Sequence, residues 1–357
     1  MPDPRTYPIP PNWQGLRLET ALKRLAKDLS WSQVRALISG RFVRVNGVLA
    51  IDADRGVGAG DVIEVTGEAQ AAPPGDVDVE VVHADADVVV VNKPAGMMSL
   101  RRYEERGWEE ARKFAWPALD EVLQRLANAK RLAGGGSVRV LDVHRLDRET
   151  SGLMVFARTV AARDGLVELF KRHSVDRRYW AVVRGHPATM RIESWLVRDR
   201  GDGLRGSAGG VNVELRAEGE ARKPARPAEL AASASATGWV PSVSTAELER
   251  RGGERAVTHV RPVERLGEYS IVECRLETGR THQIRIHLSE AGFSLCGERV
   301  YTHGAGEAPR VDGSGAPRQA LHAFRLGFRH PATGERVEFE RGWAEDLAGW
   351  LGRLRSV

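Results

Sequence analysis

The amino-acid sequence predicts an α+β protein, with a mixed, largely antiparallel sheet preceded by a small N-terminal α/β unit. Three observations predict it. Strand-like stretches with period-two alternation dominate, most of them are joined by tight turns, and helical stretches are interspersed.

Residues 1–15 hold five prolines and little periodicity, which predicts a disordered arm. In GLRLETALKRLAKDLS, Leu18, Leu22 and Leu25 share one helical face. A second helix follows Ser30, carries Val34, Leu37 and Ile38, and stops at Gly40. RFVRVNGVLA is an alternating hairpin turned at Asn46-Gly47, and GDVIEV adds a strand, so 16–68 makes one small unit. AQAAPPGD, 69–76, is the linker. The second unit, 77–357, starts with two strands around the ADAD turn of DVDVEVVHADADVVVVNKPAG. Thr159 caps a helix running to about His173. RRYWAVVRG is a strand, and THVRPVERLGEYSIVECRLETG is a hairpin. THQIRIHLSEAG is a helix capped by Thr281 and ended by Gly292. ALHAFRLGFRHPATGERVEFE is a last hairpin, and 343–355 a last amphipathic helix. Residues 199–250, rich in Gly, Ala, Ser, Glu and Arg, break the pattern as a flexible insertion.

The 357 residues are 42% hydrophobic, enough for a real core, and carry a net charge of +5. That excess favours nucleic acid only weakly by itself. Cys274 and Cys296, the two cysteines, suit a reducing compartment, and no zinc spacing is present. The longest valine run, 88–91, is too short to span a bilayer, and the N-terminus lacks a signal-peptide core. The expectation is a soluble, cytoplasmic monomer.

Three segments carry candidate chemistry. In HRLDRETSGLMVFA, Asp147 sits between Arg145 and Arg148 at the mouth of an apolar strand. An arbitrary aspartate near arginine is usually a turn residue or surface ion pair. Here a long polar loop precedes a rigid strand, and a neighbouring guanidinium keeps a carboxylate ionised, as a nucleophile requires. In TGRTHQIRIH, His282, Arg285 and Ser289 share one helical face and Ile284, Leu288 and Ala291 make the core face. His282 and His287 are five residues apart, about 140° around a helix, which excludes a shared zinc. Arg285 reads equally as a solvated charge or as partner to a buried carboxylate. In VDRRYWAVV, Tyr179 is a core residue or a stacking platform for a flat base.

These segments, in this order, resemble the RluA family of pseudouridine synthases. HRLDRETSG, VDRRYWAVVRG and LETGRTHQIRIHLSEAG match three blocks of that family, and DVVVVNKPAG and RQALHAFRLGFRHP match two more, over 78–340. The unit at 16–66, with LISGRFVRVNG, is similar to a small RNA-binding domain first known from a ribosomal small-subunit protein. The resemblance implies a catalytic Asp147, a Tyr179 that packs on the target base, and an Arg285 that pairs with the catalytic carboxylate. It implies that Arg145 fills the gap left by a flipped nucleotide and that Leu276 lies near the base, with His144, Arg280 and His282 as further substrate contacts. It departs from the pattern at Arg177, Ser294 and Glu298, where the family usually has lysine, proline and aspartate, and at Met97-Met98-Ser99, where His-Pro is common. Segments 101–137 and 199–250 are longer than the pattern leads one to expect.

The implied reaction breaks the bond between ribose and uracil nitrogen, turns the base and rejoins it through carbon 5. No cofactor or metal is expected, and the sequence has neither a Walker loop nor a dinucleotide fingerprint. The expected substrate is large-subunit ribosomal RNA, with transfer RNA as the alternative. A non-catalytic ribosome-assembly factor and a nucleoside hydrolase are the rival readings. A basic face of Arg17, Arg24, Lys27, Arg35, Arg41 and Arg44 is expected to contact phosphates.

Overall fold

The computed structural model describes residues 3–356 except 11, 14, 71, 102, 134–138, 202, 217–244, 251 and 305–309. The chain divides into two compact units, Met1–Ala72 with Arg198–Gly206, and Pro73–Val197 with Ser207–Val357. The cut falls inside the 69–76 stretch.

In the first unit, helices Leu18–Leu25 and Trp31–Ser39 bury Leu18, Leu22, Val34 and Ile38 against a four-stranded sheet. Ser30 opens the second helix with a capping box, its hydroxyl accepting from the Gln33 N–H while the Gln33 side chain accepts from the Ser30 N–H. Asn46 and Gly47 both take positive φ, 54° and 71°, and turn strand Val43–Val45 into Val48–Leu49. The expected disordered arm is corrected in part. Arg5–Pro8 forms an edge strand antiparallel to Val62–Val65, because Tyr7 and Ile9 have core to pack on, and an edge tolerates Pro8.

The second unit is built on an eleven-stranded, mostly antiparallel sheet. Its strands run in the order Gly206–Ser207, Met190–Val197, Glu254–Leu266, Tyr269–Leu276, Asp176–Arg184, Leu321–Arg329, Ser151–Ala157, Val88–Lys93 and Glu80–Ala84, with Asn212–Leu215 paired to Met190–Val197 and Arg336–Glu340 to Leu321–Arg329. Leu321–Arg329 and Ser151–Ala157 are parallel, and this junction lies at the centre of the site. Helices Leu119–Asn128 and Gln283–Glu290 cover one face, contributing Leu119, Val122, Leu123, Ile284 and Leu288 to the main core. Val160–Lys171, capped by the Thr159 hydroxyl, covers the other with Ala162 and Leu166.

Three expectations change here. Helix Gln283–Glu290 is capped by His282 in a left-handed conformation, φ 58°, and not by Thr281, so His282 leaves the helical face it was expected to share with Arg285. Segment 101–137, to which the sequence assigned no elements, contains Glu110–Ala115 and the amphipathic Leu119–Asn128, whose leucines join the core. Of the expected insertion, 217–244 lies outside the described residues; before it, Asn212–Leu215 pairs with Met190–Val197, and after it Thr245–Arg250 is helical. Strand Met190–Val197 was not read from the sequence at all.

Candidate active site

A cavity of about 510 Å³ opens where the two parallel strands begin, and it gathers the predicted catalytic segments. Asp147, Tyr179, Arg285, Arg145, His144, Leu276, Arg280 and His282 all line it, although they come from three separate stretches of chain.

Asp147 sits on the loop entering strand Ser151–Ala157, and buried donors hold that loop from beneath. Lys93, fully buried, gives Nζ hydrogen bonds to the carbonyls of Pro94, Met97 and Arg148, at 2.9, 2.8 and 2.9 Å. Three acceptors suit the three protons of an ammonium. Burial nevertheless pulls Lys93 down to about 7, against the opposite pull of Glu149 and Asp147. The Ser99 hydroxyl donates to the Leu146 carbonyl and accepts from the Leu146 N–H. Arg318 donates to the Glu149 carbonyl and the Ser151 hydroxyl, both at 2.9 Å, and is itself held by Asp346 of the last helix. Gly152 then passes so close to Leu321–Arg329 that a Cβ would lie 2.3 Å from the Ala323 carbonyl oxygen, at a φ of 119°. The carboxylate is thus mounted on a loop with little freedom, its side chain about one-fifth exposed to the cavity.

Across the cavity Arg285 Nη1 lies 3.5 Å from Asp147 Oδ2, and His282 Nε2 lies 3.8 Å from Oδ1. Arg285 has a second carboxylate partner. Glu298 grips it in a bidentate pair, Nε to Oε2 and Nη2 to Oε1, both 2.7 Å. Burial disfavours the Glu298 anion, but the guanidinium and the N–H groups of Val300 and Tyr301 outweigh burial and hold the carboxyl well below its usual range. Tyr301 lies under the Arg285 guanidinium, 5.0 Å to the ring centre, and its hydroxyl is 2.7 Å from His282 Nδ1. Arg285 is therefore fixed from behind and faces Asp147 with one free edge.

The walls follow. Tyr179 is buried, and that burial pushes its phenol upward, so it enters the site as a neutral ring. Leu276 adds an apolar patch. Arg145 donates to the Thr281 hydroxyl, joining the Asp147 loop to the 277–282 loop. Arg280 is drawn to Glu254 at 2.8 Å and to the Arg255 carbonyl, which makes it part of the rim. His144 stacks on Phe170 and its Nε2 accepts from the Val155 N–H. Burial, helped by Arg177, drives His144 down to about 3, so it is a neutral wall whose Nε2 is already committed. Arg148 turns away, over the Trp116 ring at 4.7 Å.

Sequence reasoning missed Lys93, Ser99, Arg318 and the role of Glu298. Glu298 was visible only as a departure from a motif, and nothing in one sequence announces that a lysine beside a proline is buried.

The five arginines expected to bind RNA lie in the first unit. Arg17, Arg24 and Arg35 are exposed, and Arg41 and Arg44 half-buried. Arg17 meets Asp54 at 3.3 Å, Arg35 meets Glu19 at 2.8 Å, Arg24 lies over Trp13, and Arg44 donates to Gln70. The exposed Arg17–Asp54 pair is worth little to stability.

The cavity thus sets a single carboxylate beside a fixed arginine, a tyrosine ring and an apolar leucine. Residues 87–290 match the model of the RNA pseudouridylate synthase family. A protein of Zymomonas mobilis named ribosomal large subunit pseudouridine synthase D is 33% identical over 345 residues, covering 93% of this chain and 92% of its own. A protein of the same name from Neisseria meningitidis is 33% identical over 97% of this chain and 81% of its own. An RNA pseudouridine synthase of Bacillus subtilis is 32% identical over 95% and 94%. Among solved structures, human RNA pseudouridylate synthase domain containing 4 superposes with a TM-score of 0.54 at 22% identity, over 77% of this chain and 93% of that one, a likeness of fold. The chain belongs to the RNA pseudouridylate synthase family. Its members are isomerases that act on RNA.

Proposed function

We propose that this protein converts specific uridines of large-subunit ribosomal RNA into pseudouridine, with Asp147 as the reacting carboxylate. The observation that carries the reading is the 3.5 Å approach of Arg285 to Asp147 in a cavity of nucleoside size, beside Tyr179 and Leu276. The ribosomal substrate rests on the names of the relatives that match nearly end to end.

A stacked uridine cannot reach Asp147, so it is flipped out at a cost of a few kcal/mol. Arg145, exposed at the rim, takes the vacated place in the stack, and Tyr179 covers the base. Asp147 then attacks the substrate or removes a proton that triggers cleavage of the C1′–N1 bond. Glycoside cleavage ordinarily needs a second carboxyl to protonate the leaving group. Uracil leaves as a delocalised anion and stays in the pocket, so one carboxylate suffices. Glu298 is no second acid, because Arg285 occupies both of its oxygens. The arginines of the first unit supply sequence-independent phosphate contact, which gives affinity without choosing the uridine.

The test is Asp147→Asn assayed with a large-subunit ribosomal RNA transcript. The expected result is unchanged melting and RNA binding with no pseudouridine; retained turnover removes Asp147 from the chemistry. A hydrolase would release free uracil, and the expected yield of free uracil is none.

A further inference from the structure

Arg177 has no part in the chemistry described so far, yet its side chain lines the same cavity. It is buried, 8% exposed, in strand Asp176–Arg184. The guanidinium lies over the Phe170 ring at 5.1 Å and against Gly279, where a Cβ would come within 2.6 Å of Nη1. Nε has no hydrogen-bond partner, and among the described residues no carboxylate lies within ion-pair distance of Arg177. The contrast with Arg285 is sharp, since that cation is already matched by Glu298 and Asp147. A buried guanidinium stays charged at neutral pH, and a buried charge without a counter-charge is costly. A cavity that keeps one is electrostatically incomplete until an anion arrives.

Position indicates which anion. Arg177 and Tyr179 are two residues apart on one strand, so their side chains leave the same face about 7 Å apart. Both side chains line the cavity that also holds Asp147 and Arg285.

We propose that Arg177 is a catalytic residue that neutralises the negative charge gathering on uracil as the C1′–N1 bond breaks. The inference rests on the Asp147 reading above. When that bond breaks, its electron pair leaves with N1 and spreads onto O2 and O4. C1′ is satisfied either by a bond to an Asp147 oxygen or by loss of the C2′ proton to that carboxylate. C5 then bonds to C1′ as Asp147 departs or returns the proton. The C5 proton is lost and N1 gains one, so product and substrate are isomers and no oxidant or reductant enters. Arg177 acts on the anion between the two bond changes, where a fixed cation aimed at developing charge is most effective.

The test is the single-turnover rate of C1′–N1 cleavage, at saturating enzyme, in large-subunit ribosomal RNA transcripts made with uridine or with 5-fluorouridine, whose C5–F bond blocks only the final proton loss that follows that cleavage. Fluorine makes the departing uracil more acidic and hence less dependent on an outside cation. Wild type, R177K and R177Q are compared, with RNA affinity measured in parallel. R177Q is expected to slow the uridine transcript about 100-fold, the scale of losing one donor aimed at developing charge. Its affinity for RNA should change less than about threefold, and its defect should shrink at least about tenfold on the 5-fluorouridine transcript. R177K, which keeps the charge, should retain most of the rate. Equal slowing on both transcripts would make Arg177 a structural prop and overturn the proposal. So would weaker binding with unchanged rate at saturation, which would make it a phosphate contact. Should R177Q melt well below wild type, R177M, which keeps the bulk and apolar stem without the charge, is judged by the same ratio of the two transcripts. Failure of wild type itself to form pseudouridine would refute the reading of function instead, so the two failures are distinguishable.

Discussion

Glu298→Gln is the most informative perturbation of the site, because it separates the mount of Arg285 from Asp147 itself. Glu298 is buried to 2% exposure and makes two 2.7 Å bonds to Arg285. Its Oε1 also accepts from the N–H groups of Arg299 and Val300, at 3.0 and 2.9 Å. Glutamine preserves the shape but removes the charge, and its NH2 group turns one of the two guanidinium contacts into donor against donor. Hydrogen bonds to charged groups contribute about 1.5–3 kcal/mol each, and breaking a buried pair costs about 3–5 kcal/mol. The expected loss is therefore about 3–5 kcal/mol in urea unfolding, with pseudouridine formation reduced because Arg285 is no longer held opposite Asp147. Glu298→Asp keeps the charge one methylene further away and should lose less than about 2 kcal/mol. E298Q within about 1 kcal/mol of wild type, or E298D no better than E298Q, would refute the claim that charge pairing fixes Arg285.

Lys93→Met leaves the carbonyls of Pro94, Met97 and Arg148 without their donor, so stability by urea titration should fall by about 3 kcal/mol or more, with activity falling as the Asp147 loop loosens; wild-type stability would contradict this. His144, His287 and His322 are held by burial at about 3, 3 and 4, below the ordinary 6.5. The unfolded chain then binds more protons than the folded one between about pH 4 and 6.5, so stability falls as pH drops through that window. At pH 5 each ring costs about 2 kcal/mol relative to pH 7; urea midpoints that do not move between pH 7 and 5 would show that the rings charge without penalty. Deleting residues 1–68 should weaken RNA binding and flatten its dependence on salt while a stem-loop substrate is still modified. An unchanged salt slope would rule out phosphate contact by the five arginines.

The three segments that meet at the cavity were legible because their signals are local. A polar loop before an apolar strand, an arginine on an amphipathic helix and an alternating strand with tyrosine each persist in the folded chain. The Asn46-Gly47 turn and the Ser30 and Thr159 caps were legible for the same reason, since each is decided by a few neighbouring residues. What escaped depends on contacts distant in sequence. Arg318 acts on Glu149 and Ser151 from about 170 positions away, and no pattern around it foretells that. Thr281 looked like a cap because a hydroxyl precedes the helix, yet it accepts from Arg145 while His282 makes the turn. Leu119–Asn128 lay in a stretch that matches no block of the family pattern, and strand Met190–Val197 ran into a region whose composition suggested no order.

The most direct test maps pseudouridines in the large-subunit ribosomal RNA of cells lacking this protein, complemented with wild type or with Asp147→Asn. One or a few positions should lose pseudouridine in the deletion, regain it with wild type and stay unmodified with the variant. An unchanged map in the deletion strain, or restoration by Asp147→Asn, would contradict the central claim.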